Sequence, residues 1–196
     1  CLDYGEHMKP LLFLTCLSLS CSVSASSAMR YQQYIDTVVG RGIVNISELT
    51  TNRYILEKTN RFNSCRDYAH EVPSKEQYKN IVKAIKLISY LKTNGIISDY
   101  TILSSYRSHE GNVCTGGAKN SKHLNNAAID FTVPEKDIHA VKKMCAFWKT
   151  YGKQHNMGLG TYTVKHLNKN ITIFHVDVEQ YRTWGSTYRY NSSLCL

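Results

Sequence analysis

Two histidines and an aspartate in the second half of the chain have the residue types of a metal site. His123 and Asp130 lie seven residues apart, and His175 lies in an apolar segment much later in the chain. Imidazole and carboxylate groups are common ligands of hydrolytic zinc sites, which use three protein ligands and keep one position open for water. These three side chains therefore form a candidate zinc centre.

The alternation of side chains along a strand supports the same grouping. Within residues 129–131, the two apolar neighbours point away from Asp130. Within residues 174–178, His175 and Asp177 share one face and the three apolar residues share the other. If the two strands are neighbours in one sheet, their polar faces bring the three candidate ligands together.

The elements that must position these residues follow from hydrophobic periodicity and turn signals. Helices are predicted over residues 28–39, 74–93 and 135–151, with Ile138 on the apolar side of the last one. Ser74 and Gln77 form a capping box at the start of the second helix. A glycine-rich loop is expected over residues 111–117, and strands over residues 100–105, 127–133, 158–163 and 171–178. This pattern predicts an α+β fold, in which a small mixed or antiparallel sheet carries the zinc site and packs against helices.

Three linked motifs resemble the signature of one peptidase family. In chain order they are Tyr106-Arg107-Ser108, the Ser-x-His-x-x-x-x-Ala-x-Asp run over residues 121–130, and Phe174-His175-Val176-Asp177. The family contains zinc D-Ala-D-Ala carboxypeptidases, D-Ala-D-Ala dipeptidases and murein endopeptidases, and its metal fold is shared with the hedgehog signalling domain. The resemblance covers roughly residues 75–180, and the order of the three motifs makes it specific.

The resemblance implies a role for each matching residue. It implies one Zn²⁺ held by His123, Asp130 and His175. Arg107 would hold a substrate carboxylate or polarise the scissile carbonyl. Ser121 would lie beside the metal, as a hydroxyl that either binds the substrate or supports a metal ligand. The implied substrates are peptidoglycan stem peptides or cross-links, cut by a D,D- or L,D-type endopeptidase or carboxypeptidase.

The sequence departs from the family pattern at two places. Asn126 stands where the family usually has glycine, and asparagine tolerates a left-handed backbone better than most residues. Thr172 and Ile173 stand where other members have a catalytic base, so Asp177 is the best candidate for that base. The alternative is that Asp177 orients a metal ligand. Four other titratable residues are reserve candidates for the base: His109, Glu110, His166 and Glu179.

The start of the chain has the layout of a secretory signal peptide. A short basic start, an apolar stretch and a run of small residues lead to cleavage sites after Ala25 or Ala28. Lipid modification of Cys21 is the alternative. We expect a leader over residues 1–25 and a single zinc peptidase-like domain over residues 26–196, periplasmic or secreted.

Export changes the expected state of the cysteines. Four of them follow the leader, at positions 65, 114, 145 and 195. No two have the close spacing of a metal-binding pair, so two disulfides are favoured, with three alternative pairings left open.

The charge indicates what surrounds the exported protein. The whole chain carries +9, and the leader holds one lysine and two acidic residues, so the remainder carries +10. This charge favours an anionic environment such as the cell wall. We expect no nucleic-acid partner, no membrane-spanning segment after the leader, and a monomer. The alternative function is a non-catalytic zinc module that binds wall peptide or a protein, and a basic adhesin or nucleic-acid binder is a third.

Overall fold

The computed structural model describes residues 29–30, 33–34, 65, 68, 71–134, 138–166 and 169–196, and its centre is a five-stranded sheet. The strands are β1 (Thr101–Ser104), β2 (Ala128–Thr132), β3 (Gly158–His166), β4 (Lys169–Asp177) and β5 (Arg182–Trp184). Their order across the sheet is β1-β2-β4-β3-β5. Neighbouring strands are antiparallel except for β3 and β5, which are parallel. The predicted α+β class with a mixed sheet is confirmed.

Within the described residues from 71 onward, three α-helices accompany the sheet: α1 (Asn80–Thr93), α2 (His109–Cys114) and α3 (Ala140–Tyr151). Short 3₁₀ turns cover Lys75–Gln77, Lys122–Asn125 and Tyr190–Ser192. The apolar residues of α1 and α3 share one core with the apolar face of the sheet. Phe131 on β2 and Phe174 on β4 are paired residues in this core, fully buried and stacked with ring centroids 5.5 Å apart. The opposite face of the sheet is therefore available for polar side chains.

The helix predicted over residues 74–93 is divided in two. Ser74 N–H donates to Gln77 Oε1 at 3.2 Å, as a capping box requires, but the first turn is 3₁₀ and α1 begins only at Asn80. The stripe predicted along this helix is buried at Ile81, Ile85, Ile88 and Leu91. Residues 29, 30, 33 and 34 are helical, and the rest of the helix predicted over 28–39 lies outside the described residues.

Two predicted boundaries are wrong. Helix α3 begins at Ala140, and Ile138, which was predicted on its apolar side, lies in a turn and is 78% exposed. Residues 135–137 lie outside the described residues. The loop predicted from residue 111 is helical up to Cys114, because Ser108 caps α2 by accepting a hydrogen bond from Gly111 N–H at 2.9 Å. A good cap compensates for the low helix propensity of glycine in so short a helix.

Two disulfides join distant segments, as the cysteine count predicted. Cys65 is bonded to Cys114, and Cys145 on α3 is bonded to Cys195 near the end of the chain. This is one of the three pairings that the sequence left open. None of the helices in the described ranges combines the length and the apolar character needed to cross a bilayer.

Candidate metal centre

A row of paired residues crosses the polar face of the sheet and forms the base of the site. Asp130 on β2 pairs with His175 on β4, which pairs with Gly160 on β3, which pairs with Trp184 on β5. Ser104 on β1 pairs with Asp130 at the other end of the row. Because directly paired residues project from the same face, the sheet itself brings Asp130 and His175 side by side.

His123 completes a group of three that can hold one metal ion. The Nε2 atom of His123 lies 3.2 Å from His175 Nδ1 and 3.1 Å from Asp130 Oδ1. Asp130 Oδ1 lies 2.8 Å from His175 Nδ1. Three oxygen or nitrogen ligands on a tetrahedral ion with bonds of about 2.0–2.1 Å are about 3.3 Å apart. The two imidazoles and one carboxylate therefore fit a zinc ion with shifts of a few tenths of an ångström.

His123 reaches the site from the 3₁₀ turn that precedes β2. Ser121 caps this turn, with its hydroxyl accepting from His123 N–H at 3.4 Å. The turn ends at Asn126, which has φ 53° and ψ 37° and is completely buried. The expectation that asparagine can take the left-handed conformation at this position is confirmed. Its side chain accepts a hydrogen bond from Tyr34 Oη at 3.1 Å and donates one to the Gln77 carbonyl oxygen at 3.1 Å.

Each of the three side chains makes a further hydrogen bond with the polar atom that faces away from the other two. This outer hydrogen bond fixes the orientation of the side chain. His123 Nδ1 is hydrogen-bonded to the Ser105 carbonyl oxygen. Because that oxygen can only accept, Nδ1 carries the proton and Nε2 keeps its lone pair. On Asp130, the second oxygen, Oδ2, accepts from Arg107 Nη2 at 2.7 Å, which leaves Oδ1 facing the two histidines.

His175 is held in the opposite tautomer by Asp177. His175 Nε2 lies 3.2 Å from Asp177 Oδ2, so Nε2 donates to the carboxylate and Nδ1 faces the group of three. Asp177 is fully buried and is also bound by Arg182, at 2.7 Å to Oδ2 and 3.3 Å to Oδ1. The Glu179 N–H donates to Asp177 Oδ1 at 3.1 Å. Both oxygens of Asp177 are thus engaged, an arrangement typical of a carboxylate that orients a metal ligand.

The pKa values in the group reflect burial and mutual charge. Burial, with a contribution from the Arg107 charge, lowers the pKa of His123 to about 4. Burial also opposes a charge on His175, but its hydrogen bonds to Asp130 and Asp177 outweigh burial and raise its pKa. Burial acts against ionisation of Asp130, yet the two histidines hold the pKa of Asp130 well below its usual range. The carboxylate therefore stays ionised, as a metal ligand must.

The other predicted site residues lie at varying distances from this group. Arg107 contacts it directly and also donates from Nε to Ser104 Oγ at 3.0 Å, with 19% of its side chain exposed. Ser121 contacts the backbone of His123. Among the reserve candidates, His109 and Glu110 are exposed on α2, and Glu179 pairs with Lys122 at 3.4 Å. The side chain of His166 lies outside what the structure describes.

Aromatic residues lie beside His175, and they were not among the residues predicted from the sequence. The Trp184 ring lies 5.1 Å from the His175 ring, centroid to centroid, and Trp184 Nε1 donates to Tyr162 Oη. A Cβ atom on Gly160 would lie 2.9 Å from both His175 Cβ and Trp184 Cε2, so only glycine leaves room for this packing. Two glycines and a tyrosine occupy every second position of β3 (158, 160 and 162), and this pattern could have revealed a strand that packs closely beside the site.

Comparison with known proteins agrees with the motifs and the geometry. The family model described as Peptidase M15 matches residues 48–167, which is more than half of the chain. The matched segment contains His123 and Asp130 and ends before His175. No curated protein and no solved structure matches the chain. The order of the motifs, the group of three ligands and this match lead to one conclusion: the chain belongs to the peptidase M15 family, which contains the zinc D-Ala-D-Ala carboxypeptidases.

Proposed function

We propose that this chain is an exported zinc peptidase that hydrolyses peptide bonds in peptidoglycan stem peptides or cross-links. The observation that carries the proposal is the orientation of the three ligands. His123, Asp130 and His175 each bind a second partner that turns one lone pair toward a common point. Such outer partners are a regular feature of functional metal sites, where they fix the orientation of each ligand.

A zinc ion held by His123, Asp130 and His175 would supply Lewis-acid chemistry, which polarises a carbonyl group and acidifies water. Arg107 binds the substrate in this proposal. Its Nε and Nη2 atoms are held by Ser104 and Asp130, and its side chain remains partly exposed. A guanidinium is permanently charged and offers several donors, so it can bind a substrate carboxylate or the scissile carbonyl while it keeps Asp130 in place. Ser121 contributes by capping the turn that carries His123.

We assign Asp177 to the orientation of His175 and not to proton transfer from water. Its carboxylate is fully buried, and both oxygens accept hydrogen bonds from His175, Arg182 and the Glu179 amide. Asp177 Oδ2 accepts a hydrogen bond from His175 Nε2–H. The other ring nitrogen of His175, Nδ1, is therefore the one that faces the position a zinc ion would occupy. A general base needs access to the water that it deprotonates, and these contacts leave Asp177 little access.

The disulfides, the net charge and the family match support the proposed location and substrate class. The two disulfides are typical of proteins that work outside the reducing cytosol. The net charge of +9 favours contact with the anionic cell wall, where stem peptides are found. Family membership supports a peptide substrate.

A non-catalytic zinc module that binds wall peptide or a protein partner is the second candidate. The observation that favours it is the absence of an acidic residue ahead of His175, where Thr172 and Ile173 stand, together with the full engagement of Asp177. In this case the metal and Arg107 would bind a peptide without hydrolysing it.

Digestion of purified peptidoglycan by the full chain separates the two candidates. The protein is used zinc-loaded, chelator-treated and as the Asp130→Ala variant, with Asp99→Ala, an exposed acid paired with Lys92, as the matched control. We expect zinc-dependent release of peptides by the wild type and Asp99→Ala only, and mass spectrometry of the products identifies the bond. Absence of cleavage by a protein that holds one zinc would favour the binding module.

A further inference from the structure

Tyr162 places its hydroxyl next to the ligand row on the open face of the sheet. It lies on β3 two residues after Gly160, so its side chain projects from the same face as His175. The ring leans back toward Gly160, and its Oη lies 2.9 Å from the point where a Gly160 Cβ would stand. His175 Cβ lies 2.9 Å from the same point. The separation of Tyr162 Oη from His175 Cβ is therefore at most the sum of these two distances, and the hydroxyl is close to the candidate ligand.

Trp184 holds this hydroxyl in a fixed orientation. Its indole Nε1–H donates to Tyr162 Oη, which occupies one lone pair of the oxygen. The indole also contacts two other groups: the centroid of the Trp184 ring lies 5.1 Å from that of the His175 ring and 4.7 Å from the Arg182 guanidinium carbon. Tyr162 lies on β3, which pairs with the strand of His175 on one side and with the strand of Trp184 on the other. The position of the tyrosine oxygen is thus fixed relative to His175.

The proton of the Tyr162 hydroxyl has no acceptor among the residues that the structure describes. Burial, together with the nearby Asp130 carboxylate, raises the pKa of Tyr162, so the hydroxyl is protonated at neutral pH. A protonated hydroxyl that already accepts one hydrogen bond from Trp184, and whose side chain is only partly buried, can donate its proton to a group that enters from outside.

We propose that Tyr162 is a catalytic residue whose Oη–H donates a hydrogen bond to the carbonyl oxygen of the peptide bond under attack. Negative charge develops on that oxygen as water adds to the carbonyl carbon, and a preorganised donor stabilises the charge most strongly in the transition state. Trp184 is the positioning residue for this donor, and Gly160 provides the space in which the two side chains meet. The inference rests on the proposed peptidase function and extends it to a second electrostatic group besides Arg107.

The test compares Tyr162→Phe with the wild type on a soluble peptidoglycan fragment that the wild type cleaves. Tyr162→Phe removes one oxygen and keeps the ring. We expect kcat to fall by about ten- to a hundredfold, because the lost donor acts mainly in the transition state. KM, zinc content and melting temperature should remain close to those of the wild type, since Tyr162 holds no ligand directly.

Two further variants make the result specific. Trp184→Phe removes the indole donor and keeps an aromatic ring, so it should lower kcat less than Tyr162→Phe does. Tyr90→Phe is the matched control, because Tyr90 is an exposed tyrosine on α1 that packs against Phe147 and His155, and it should behave as the wild type. If the wild type cleaves and Tyr162→Phe retains its kcat, the inference is wrong and the proposed function stands. If the zinc-loaded wild type cleaves no fragment, the proposed function fails and this inference fails with it.

Discussion

Arg182 Nη2 lies 2.7 Å from Asp177 Oδ2, although strand β3 lies between the strands that carry the two residues. Gly158 on β3 is the pairing residue of both, and a Cβ atom there would lie 2.4 Å from Asp177 Oδ2. The missing side chain at Gly158 lets the guanidinium reach the carboxylate across the intervening strand. Since the same oxygen lies 3.2 Å from His175 Nε2, the ion pair holds the carboxylate that orients a candidate metal ligand.

Asp177→Asn tests whether this carboxylate orients His175. The amide keeps the shape of the side chain but loses the charge that binds Arg182 and favours the proton on His175 Nε2. We expect zinc affinity to fall by about ten- to a hundredfold, as measured by competition with a chromophoric chelator. Arg189→Met, which changes an exposed arginine, is the control. Unchanged affinity combined with a collapse of kcat would contradict this assignment and make Asp177 the general base.

The affinity for zinc should fall as the pH falls. His175 must lose a proton to bind the metal, and its hydrogen bonds to Asp130 and Asp177 raise its pKa above the ordinary value of 6.5. Below that raised pKa, one proton competes with the metal, and the affinity should drop about tenfold per pH unit. A second proton, on His123, competes only near pH 4, because burial lowers the pKa of His123 to about 4. Isothermal titration at several pH values measures the slope, and an affinity that is constant between about pH 5 and about pH 8 would contradict the assignment of His175 as a ligand.

Asn126 has two functions that substitution can separate. Asn126→Gly keeps the left-handed backbone but loses the hydrogen bonds to Tyr34 and to the Gln77 carbonyl, at a cost of about 1–3 kcal/mol in the free energy of unfolding. Asn126→Ala loses the same bonds and also strains the backbone at φ 53°, which costs about 1–2 kcal/mol more. Urea denaturation should therefore rank the wild type above glycine and glycine above alanine. An alanine variant as stable as the glycine variant would show that the backbone relaxes at this turn.

The disulfide between Cys145 and Cys195 ties helix α3 to the end of the chain across a sequence separation of 50. In the chain-entropy model, a loop of this length stabilises the fold by about 4 kcal/mol. The free energy of unfolding of the double variant Cys145→Ala/Cys195→Ala, measured by urea denaturation, should fall by that amount. The disulfide between Cys65 and Cys114 stays intact in this variant, so the change reports on the removed disulfide alone. A loss below about 1 kcal/mol would mean that the ends of this loop are already held together in the unfolded chain.

The sequence led to the candidate ligand group through three motifs that resemble the peptidase family, and the alternation of side chains along two strands agreed with it. Asp130 and His175 interrupt apolar strands at alternating positions, and His123 precedes the first of these strands by a short turn. The fold class followed from the periodicity of the helices and the four longer strands. The periodic signals are contained within short windows of sequence. The pairing of β2 with β4, which brings Asp130 beside His175, is not, and it was an assumption at that point.

The residues around the ligands could not be predicted, because their positions depend on contacts between distant segments. Strand β5 has only three residues, too few for an alternation pattern, yet it brings Arg182 to Asp177 and Trp184 to His175. The hydrogen bond from Trp184 to Tyr162 depends on the parallel pairing of β3 with β5, which places Trp184 opposite Gly160. The short helix α2 was missed because its glycine indicated a loop, while its cap at Ser108 and its disulfide at Cys114 stabilise it.

The most direct test of the central claim is a crystal structure of the zinc-loaded full chain, with anomalous diffraction recorded on both sides of the zinc absorption edge. We predict one zinc peak within about 2.2 Å of His123 Nε2, Asp130 Oδ1 and His175 Nδ1, the three atoms that already lie within 3.2 Å of one another. The fourth position should face the side of the sheet that carries Tyr162. A zinc ion bound elsewhere, or a crystal without zinc at this group after loading, would contradict the account.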